Sequence, residues 1–367
     1  MHAGDLGALV ITHPPNVQYL CGFRGSAGLI LLTPGQCRLV VDFRYAAAAR
    51  STVEADPGLA RAATVVVPPR SYDETLVDLL VESGAARIGI EAAWMPVSRF
   101  TWLASRLADA APTPLTGGAS CPVLVPTERL VERGRAVKDA WEIDTIREAA
   151  RRLAAMAPEA LALVREGRME RDIAAEVDFL LRRHGFERPA FDTIVASGPN
   201  SARPHVRPGP RILREGDWVV LDFGGVYDGY CVDLSRTVQL GAPGPEFRRI
   251  FDAVAEAQQA AIAAVRPGVP AGLVDAAARE VLELHGLGDA FGHGTGHGLG
   301  LEVHEEPRVG RPLPGVPDPL LAAGMVFTVE PGAYVEGTGG VRIEDDVVVT
   351  DTGCEVLTRA SGLAAGW

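Results

Sequence analysis

The densest group of residues capable of chemistry in this sequence is a short run of glycines and histidines. The run FGHGTGHGLGLEVHEE spans 291–306 and holds His293, His297 and His304, three of only eight histidines in the chain. Glycine at every second position removes side chains from one face and lets another group approach the backbone closely. If the run is extended, His293 and His297 share the opposite face. The pattern indicates a metal-binding or catalytic strand, and a flexible loop with surface histidines is the alternative.

Four carboxylates outside this run could complete a site around His297. Asp222 ends the apolar segment WVVLDFG, and Asp233 lies in the segment YCVDLSRT that follows a glycine-rich turn. A hairpin centred between Tyr227 and Asp228 would place the two aspartates directly opposite each other, although a bulge at the turn would shift this register. Because like charges on facing strands repel each other, the pair indicates a bound cation, a shared proton or water.

The same arrangement recurs near the end of the chain. Glu330 ends the segment MVFTVE and Glu344 lies in GGVRIEDDVVV, so a turn centred on Gly337 would place these two glutamates opposite each other. Each carboxylate alone is more often an ordinary polar strand residue, but four in two hairpins would be costly to bury unpaired. With one imidazole, this oxygen-rich set suits Mn²⁺, Co²⁺ or Zn²⁺ in a two-metal cluster with the ions about 3.5–4 Å apart.

The composition argues against several classes of partner. A net charge of −12 disfavours nucleic acid or an anionic membrane as the main partner. No stretch approaches the length of a membrane span, and the N-terminus lacks the basic region of a signal peptide. We therefore expect a soluble, cytoplasmic protein. The five cysteines are scattered without a C-x-x-C pair, which predicts free thiols.

The elements that must position these side chains lie in the second of two predicted domains. We predict a small α/β domain in residues 1–125 and a linker in 126–137, after a stretch rich in proline and glycine. Residues 138–367 run helix, helix, strands and then repeat that order, which favours an α+β domain with an antiparallel sheet covered by helices. The predicted strands of the first domain include GALVIT, GLILLT, RLVVDF and ARIGIE, and the predicted helices of the chain are 71–83, 99–110, 140–162, 169–184, 246–265 and 273–285.

These residues and the segments around them resemble the pita-bread metallopeptidases, the family of the creatinase/aminopeptidase fold. The resemblance is to the Xaa-Pro branch and extends into the first domain through NVQYLCGFRGSAG (16–28). It implies a curved antiparallel sheet in two pseudo-symmetric halves, with a smaller creatinase-like α/β domain before it. The other matching segments are NSARPH (200–205), LDFGG (221–225), HGTGHGLGLEVHEEP (293–307), TVEPG (328–332) and GGVRIEDD (339–346).

The resemblance also implies a role for each matching residue. Five ligands would bind two divalent metal ions. Mn²⁺ is the first choice of metal, and Co²⁺ and Zn²⁺ are the alternatives. Glu330 would also take a proton from the attacking water, and His304 and His205 would contact the reacting amide and its intermediate. The implied ligands are Asp222, Asp233, His297, Glu330 and Glu344, and the implied substrate contacts are His293, Arg342, Phe191 and Ile194.

The activity implied is hydrolysis of a peptide bond before proline, in an expected homodimer. The segment Asp42-Phe43-Arg44-Tyr45 resembles one in compact bacterial aminopeptidases P, so we expect release of the first residue from longer peptides and a contribution from Arg44 and Tyr45. A strand end with an ordinary salt bridge is the alternative for this segment. Arg308 could bind a terminal carboxylate, which keeps an Xaa-Pro dipeptidase (prolidase) open. More distant alternatives are a non-catalytic binding module and a creatinase-like amidinohydrolase.

Overall fold

The computed structural model describes residues 5–56, 58, 63–110 and 121–359. Contacts within the chain divide it into two compact units, Met1–Arg133 and Gly134–Trp367. The prolines and glycines between 112 and 118, where the sequence predicts a break, lie outside the described residues. The last strand of the first unit, Val123–Thr127, runs two residues beyond the predicted boundary at 125 because it pairs along its length with Arg87–Glu91.

The first unit is a mixed six-stranded sheet with helices on both faces. The strand order is β4-β3-β2-β1-β5-β6, with β1 antiparallel to β2 and parallel to β5. Side chains alternate along each strand, so one set packs under α3 and α4 and the other under α1 and α2. The strands are β1 (Ala8–Ile11), β2 (Leu29–Thr33), β3 (Gln36–Val40), β4 (Ala63–Val66), β5 (Arg87–Glu91) and β6 (Val123–Thr127), and the helices are α1 (Pro14–Cys21), α2 (Ala46–Ala55), α3 (Tyr72–Ser83) and α4 (Val97–Ala110).

The second unit has the repeated order of helices and strands that the sequence predicts. The boundary between the units falls within one helical turn, α5 (Glu132–Arg135). In the second unit, two helices pack on β8 to β10, and two further helices pack on β13 to β16. None of the described helices is long and apolar enough to cross a membrane. The elements of this unit are α6 (Ala140–Leu161), α7 (Glu170–Arg183), β7 (Arg188–Pro189), β8 (Ile194–Ser197), β9 (Trp218–Tyr227), β10 (Tyr230–Gln239), α8 (Pro245–Ala264), α9 (Ala271–Leu284), β11 (Gly296–Gly298), β12 (Glu305–Val309), β13 (Val326–Val329), β14 (Gly332–Val335), β15 (Gly339–Arg342), β16 (Asp345–Val349) and β17 (Cys354–Val356).

The register of the first hairpin differs from the sequence prediction. Strands β9 and β10 meet at a two-residue turn formed by Asp228 and Gly229, both with positive φ. Such turns match the right-handed twist of the flanking strands and favour these residue types. The turn centre therefore lies one residue later than predicted, so Asp222 faces Ser235 and Asp233 faces Gly224. The prediction that the two aspartates face each other directly is wrong, but their diagonal positions still lie on one face of the hairpin.

The register of the second hairpin is the predicted one. Gly332 pairs with Arg342 at one end of the intervening gap, and Val329 pairs with Asp345 at the other. Both pairs belong to a hairpin centred on Gly337, so Glu330 and Glu344 fall opposite each other between the two short ladders.

The glycine and histidine run is less extended than predicted. Gly296–Gly298 forms a strand, the next strand begins only at Glu305, and His293 lies in irregular backbone before the first of these. The expected close approach to glycine is confirmed, because a Cβ on Gly296 would overlap the carbonyl oxygen of Thr328 and one on Gly298 would overlap that of Glu306.

Candidate active site

Three of the predicted metal ligands converge from different strands. Asp233 lies on β10, His297 on β11, and Glu344 between β15 and β16. Each offers one ligand atom, and these three atoms lie within 4.8 Å of one another. Nδ1 of His297 is 3.2 Å from the carbonyl oxygen of Gly298 and donates to it, which leaves Nε2 as the nitrogen able to bind a metal. Nε2 lies 3.5 Å from Glu330 Oε1, so the fourth predicted ligand adjoins the same group.

Two of the predicted ligands each have a buried carboxylate oxygen without a hydrogen-bond partner among the described residues. They are Oδ1 of Asp222 and Oδ1 of Asp233. An anionic oxygen that is buried without a partner is costly, and a bound cation offsets that cost. Four carboxylates and one imidazole are also donors that Mn²⁺, Co²⁺ and Zn²⁺ accept. The residues present therefore fit a pair of divalent metal ions.

The acid–base properties of the ligands indicate the same need for positive charge. Burial raises the pKa of Glu330 to about 8, and repulsion from Asp222 adds to this effect. Burial also raises the pKa values of Asp233 and Glu344 well above their usual range, and each is raised further by the charge of neighbouring carboxylates. Burial lowers the pKa of His297 to about 4, which keeps its imidazole neutral and able to act as a ligand.

Arg342 organises the polar groups beside the ligands. Its side chain is 3% exposed and donates 2.6 Å to Oδ2 of Asp222 and 2.9 Å to Oγ of Ser235. It also donates 2.7 Å to the hydroxyl of Tyr334, which in turn donates 3.0 Å to Nε2 of His293. Because His293 Nδ1 lies 2.8 Å from the Gly294 carbonyl and donates to it, Nε2 is the acceptor in this chain. These bonds link a predicted metal ligand, Asp222, to a predicted substrate contact, His293.

The sequence analysis missed Ser235, Tyr334 and Glu170. Ser235 faces Asp222 across the hairpin, so the correct register would have found it. Tyr334 lies four residues after Glu330, a spacing that puts both side chains on one face of an extended chain. The sequence gives no indication that Arg342 donates to the Tyr334 hydroxyl. Glu170 is fully buried and accepts hydrogen bonds from Ser197, Asn200 and Gly209. It therefore anchors both ends of the segment that carries His205.

A cavity of about 250 Å³ opens beside the ligands. His205 and His304 are exposed on its wall, and the rings of His304 and His297 are 4.1 Å apart. Partial desolvation of the ring at the cavity wall and the nearby His205 lower the pKa of His304 below its ordinary value, which favours the neutral imidazole near pH 7. The lining consists of Pro204, His205, His293, Gly294, Gly296, His297, His304, Arg308, Val309, Glu330 and Arg342.

Four predicted substrate contacts are not in this lining. Phe191 and Ile194 are partly buried, and Ile194 pairs with Asp222 across β8 and β9. In the first unit, Arg44 is 62% exposed and pairs with Asp42 at 2.8 Å, while Tyr45 shares a 2.6 Å hydrogen bond with Ser26. The salt bridge is the one expected under the simpler interpretation of this segment, and the substrate roles of all four residues stay predictions.

Two strand hairpins and a glycine-rich strand bring paired acidic side chains and an imidazole together, which is the arrangement expected of a metallohydrolase centre. A family model described as metallopeptidase family M24 matches residues 144–351, and one described as the creatinase/prolidase N-terminal domain matches 1–137. The chain therefore belongs to metallopeptidase family M24, and its fold is the pita-bread fold with the creatinase-like N-terminal domain. Members of this family generally depend on two metal ions.

Relatives match along nearly the whole chain. An uncharacterized peptidase of Bacillus subtilis, YqhT, is 36% identical over 97% of this chain and 95% of its own length. The solved structure of an Xaa-Pro dipeptidase from Bacillus anthracis has a TM-score of 0.88 at 32% identity, covering 98% of this chain and 95% of that one. The X-Pro aminopeptidase from Thermotoga maritima has a TM-score of 0.85 at 33% identity, covering 97% and 96%. These similarities place the chain in the Xaa-Pro branch of the family.

Proposed function

We propose that this protein hydrolyses the bond between an N-terminal residue and a following proline, and that its preferred substrate is the Xaa-Pro dipeptide. The sequence favours longer peptides as substrates. The position of Arg308 in the structure changes this to a preference for the dipeptide. Its side chain lines the cavity together with Glu330 and His304, and one guanidinium nitrogen donates to the Arg311 carbonyl at 2.8 Å. The remaining donors can form a fork with the free carboxylate of a C-terminal proline.

The proposed metal ligands are those of the sequence analysis, with Mn²⁺ as the proposed metal. When bound, the two ions supply Lewis-acid activation of water near neutral pH. Arg342 holds Asp222 by one oxygen and Ser235 holds Glu344 by one oxygen, so each ligand keeps its second oxygen for a metal. These bonds orient the ligands before any substrate arrives.

Glu330 is the proposed proton carrier. Its carboxylate lies beside His297 and on the cavity wall, and its peptide N–H donates to the Thr295 carbonyl at 2.7 Å, which fixes the start of its side chain. The group accepts a proton from the attacking water and delivers it to the proline nitrogen as that nitrogen leaves. A carboxylate in this position needs no second residue for the return of the proton.

The histidines of the cavity stabilise the reacting carbonyl. Neutral His304 presents an N–H to the cavity and donates to the oxyanion, a type of contact worth about 2.7–4 kcal/mol in the transition state. His205 contacts the amide from the neighbouring wall. Proline is selected because its nitrogen carries no N–H that would need a partner in the site. Pro204 and Val309 supply apolar lining, and Phe191 and Ile194 stay the sequence-based proposal for the proline wall.

Aminopeptidase P activity is the second candidate. Arg308 is exposed, so a longer peptide could pass it, and the similarity to the Thermotoga maritima X-Pro aminopeptidase extends over 97% of this chain.

A homodimer in the cytoplasm is also proposed from the family resemblance, and analytical sedimentation tests the oligomeric state. A non-catalytic role is disfavoured because all five ligand residues are present and three of them converge.

The deciding experiment compares kcat/KM for an Xaa-Pro dipeptide with that for the same sequence extended by two residues. We expect the dipeptide to be preferred, and Arg308→Met to raise its KM by about 10- to 100-fold through loss of a charged hydrogen bond. The matched control is Arg311→Met, which removes a neighbouring exposed guanidinium outside the cavity lining. A preference for the extended peptide, unaffected by Arg308→Met, would assign aminopeptidase P activity instead.

A further inference from the structure

One cation in this chain stands apart by composition and by position. The sequence contains 35 lysines and arginines, and Lys138 is the only lysine among them. It is also nearly inaccessible, with a side chain 1% exposed, although lysine is almost never fully buried unless it is paired. The other 34 residues of this group are arginines. A single lysine that is also buried therefore indicates that this position needs an ammonium group.

The ammonium of Lys138 binds a carboxylate that is itself held from both sides. Nζ lies 2.8 Å from Oε1 of Glu305, and Oε2 of Glu305 accepts from Arg135. The Glu305 side chain is 6% exposed. Arg135 also donates to Glu302 at 2.9 Å. The two cations therefore bind the segment between β11 and β12 at Glu302 and at Glu305.

The backbone of Lys138 is fixed independently of this bond. Its peptide N–H donates to the Gly324 carbonyl at 2.9 Å. The next residue, Asp139, caps α6 in a reciprocal capping box with Glu142. The ammonium therefore extends from a rigid base toward Glu305. Its stem packs closely on the backbone of Gly300, where an added Cβ would lie 3.1 Å from Cε of Lys138. A compact ammonium suits this space better than a planar guanidinium.

Glu305 is the residue that follows His304. In the described part of the chain, the His304 imidazole makes no hydrogen bond, and its packing neighbour is the His297 ring at 4.1 Å. The direction of the His304 side chain therefore depends on its backbone, which Glu305 anchors at the first residue of β12. A buried ion pair is weak evidence for stability, whereas fixing one arrangement is a recognised use of such pairs.

We propose that Lys138 is a positioning residue for His304, acting through the carboxylate of Glu305. The inference rests on the proposed function, in which His304 donates to the oxyanion. The predicted ligand His297 pairs with Arg308 of β12, and Gly298 pairs with Glu305, so its strand adjoins the same segment. His297 also has supports that do not involve Lys138, because its peptide N–H donates to Thr328 Oγ1 at 3.1 Å and Gly298 pairs with Phe327 of β13. Loss of the ammonium should therefore lower kcat while metal content and KM stay close to their wild-type values.

A double-mutant cycle tests this route of action. We expect Lys138→Met to lower kcat by about 10- to 100-fold, the scale of a misplaced catalytic group. In a His304→Ala background the same substitution should change kcat by less than about twofold, because the group it positions is gone. As a matched control, Lys138→Met in a His205→Ala background should keep its full effect, since Glu170 anchors the His205 segment. A full Lys138→Met effect in the His304→Ala background would overturn the proposal.

A second variant avoids the risk that Lys138→Met does not fold. Glu305→Gln keeps the size of the side chain but removes the negative charge that Lys138 and Arg135 bind. We expect kcat to fall with metal content retained, and no further fall when Glu305→Gln is added to His304→Ala. Wild-type kcat in Glu305→Gln would refute the inference. A His304→Ala variant with wild-type kcat would instead refute the proposed role of His304.

Discussion

Replacing Ser235 by alanine should weaken metal binding although Ser235 is not a ligand. Its side chain is completely buried, and Oγ donates to Oε2 of Glu344 at 2.6 Å. The same oxygen accepts from Nε of Arg342 at 2.9 Å. One hydroxyl therefore orients a proposed metal ligand, Glu344, and accepts from the guanidinium that holds another proposed ligand, Asp222.

The size of the effect follows from these two bonds. Loss of an outer partner of a ligand typically costs 10- to 100-fold in metal affinity, which is about 1.4–2.8 kcal/mol. Leaving the N–H of Arg342 buried without an acceptor should also lower the free energy of unfolding by about 1–3 kcal/mol. Calorimetric titration of the metal-free variant with Mn²⁺ measures the first quantity, and chemical denaturation of the metal-free protein measures the second.

Ser201→Ala is the matched control. Ser201 is equally buried and its hydroxyl also makes two hydrogen bonds, to the Gly198 carbonyl at 2.6 Å and from the Gly340 N–H at 3.0 Å. Neither partner is a metal ligand, so we expect a comparable loss of stability with unchanged metal affinity. Equal metal affinities for wild type and Ser235→Ala, or equal losses in the two variants, would refute the reasoning.

Two further predictions concern the carboxylates themselves. Glu330→Gln should reduce turnover to background while circular dichroism and thermal denaturation stay native, because an amide cannot carry the proton; near wild-type kcat with metal bound would contradict this role. For the metal-free protein, burial raises the pKa of Glu330 from 4.5 to about 8 and raises those of Asp233 and Glu344, so the folded chain keeps protons that the unfolded chain releases. The free energy of unfolding should therefore fall as pH rises through this window, and an unchanged or higher Tm at its upper end would contradict the assignment.

The sequence predicted the elements well where a local pattern decides them. The apolar spacing of α6 to α9 reflects burial of one helix face, and the observed bounds of these four helices agree with the prediction within two residues. The second hairpin was placed correctly, with Gly337 at its turn. The first was misplaced by one residue because Asp228 and Gly229 form the turn, and the choice among neighbouring two-residue turns depends on the twist of the whole hairpin.

The candidate ligands could be chosen from the sequence, but the hydrogen bonds that connect them to other side chains could not. The five proposed ligands were chosen from residue type and from resemblance to a family, and the structure brings three of them together. The bonds of Arg342 to Ser235 and Tyr334 depend on which side chains share a face after folding. Glu170 and Lys138 act on segments far away in the chain, Glu170 on the His205 segment and Lys138 on Glu305. No local pattern reports such contacts, because they form only when the sheets and helices have packed.

The most direct test of the central claim is a reconstitution of the metal-free protein. Metal should be removed with a chelator, Mn²⁺ returned in steps, and bound metal and hydrolysis of an Xaa-Pro dipeptide measured at each step. A dinuclear Xaa-Pro peptidase predicts no hydrolysis before metal is added and full activity when two ions are bound to each chain. Hydrolysis by the metal-free protein, or two bound ions without cleavage of any Xaa-Pro peptide, would contradict the account.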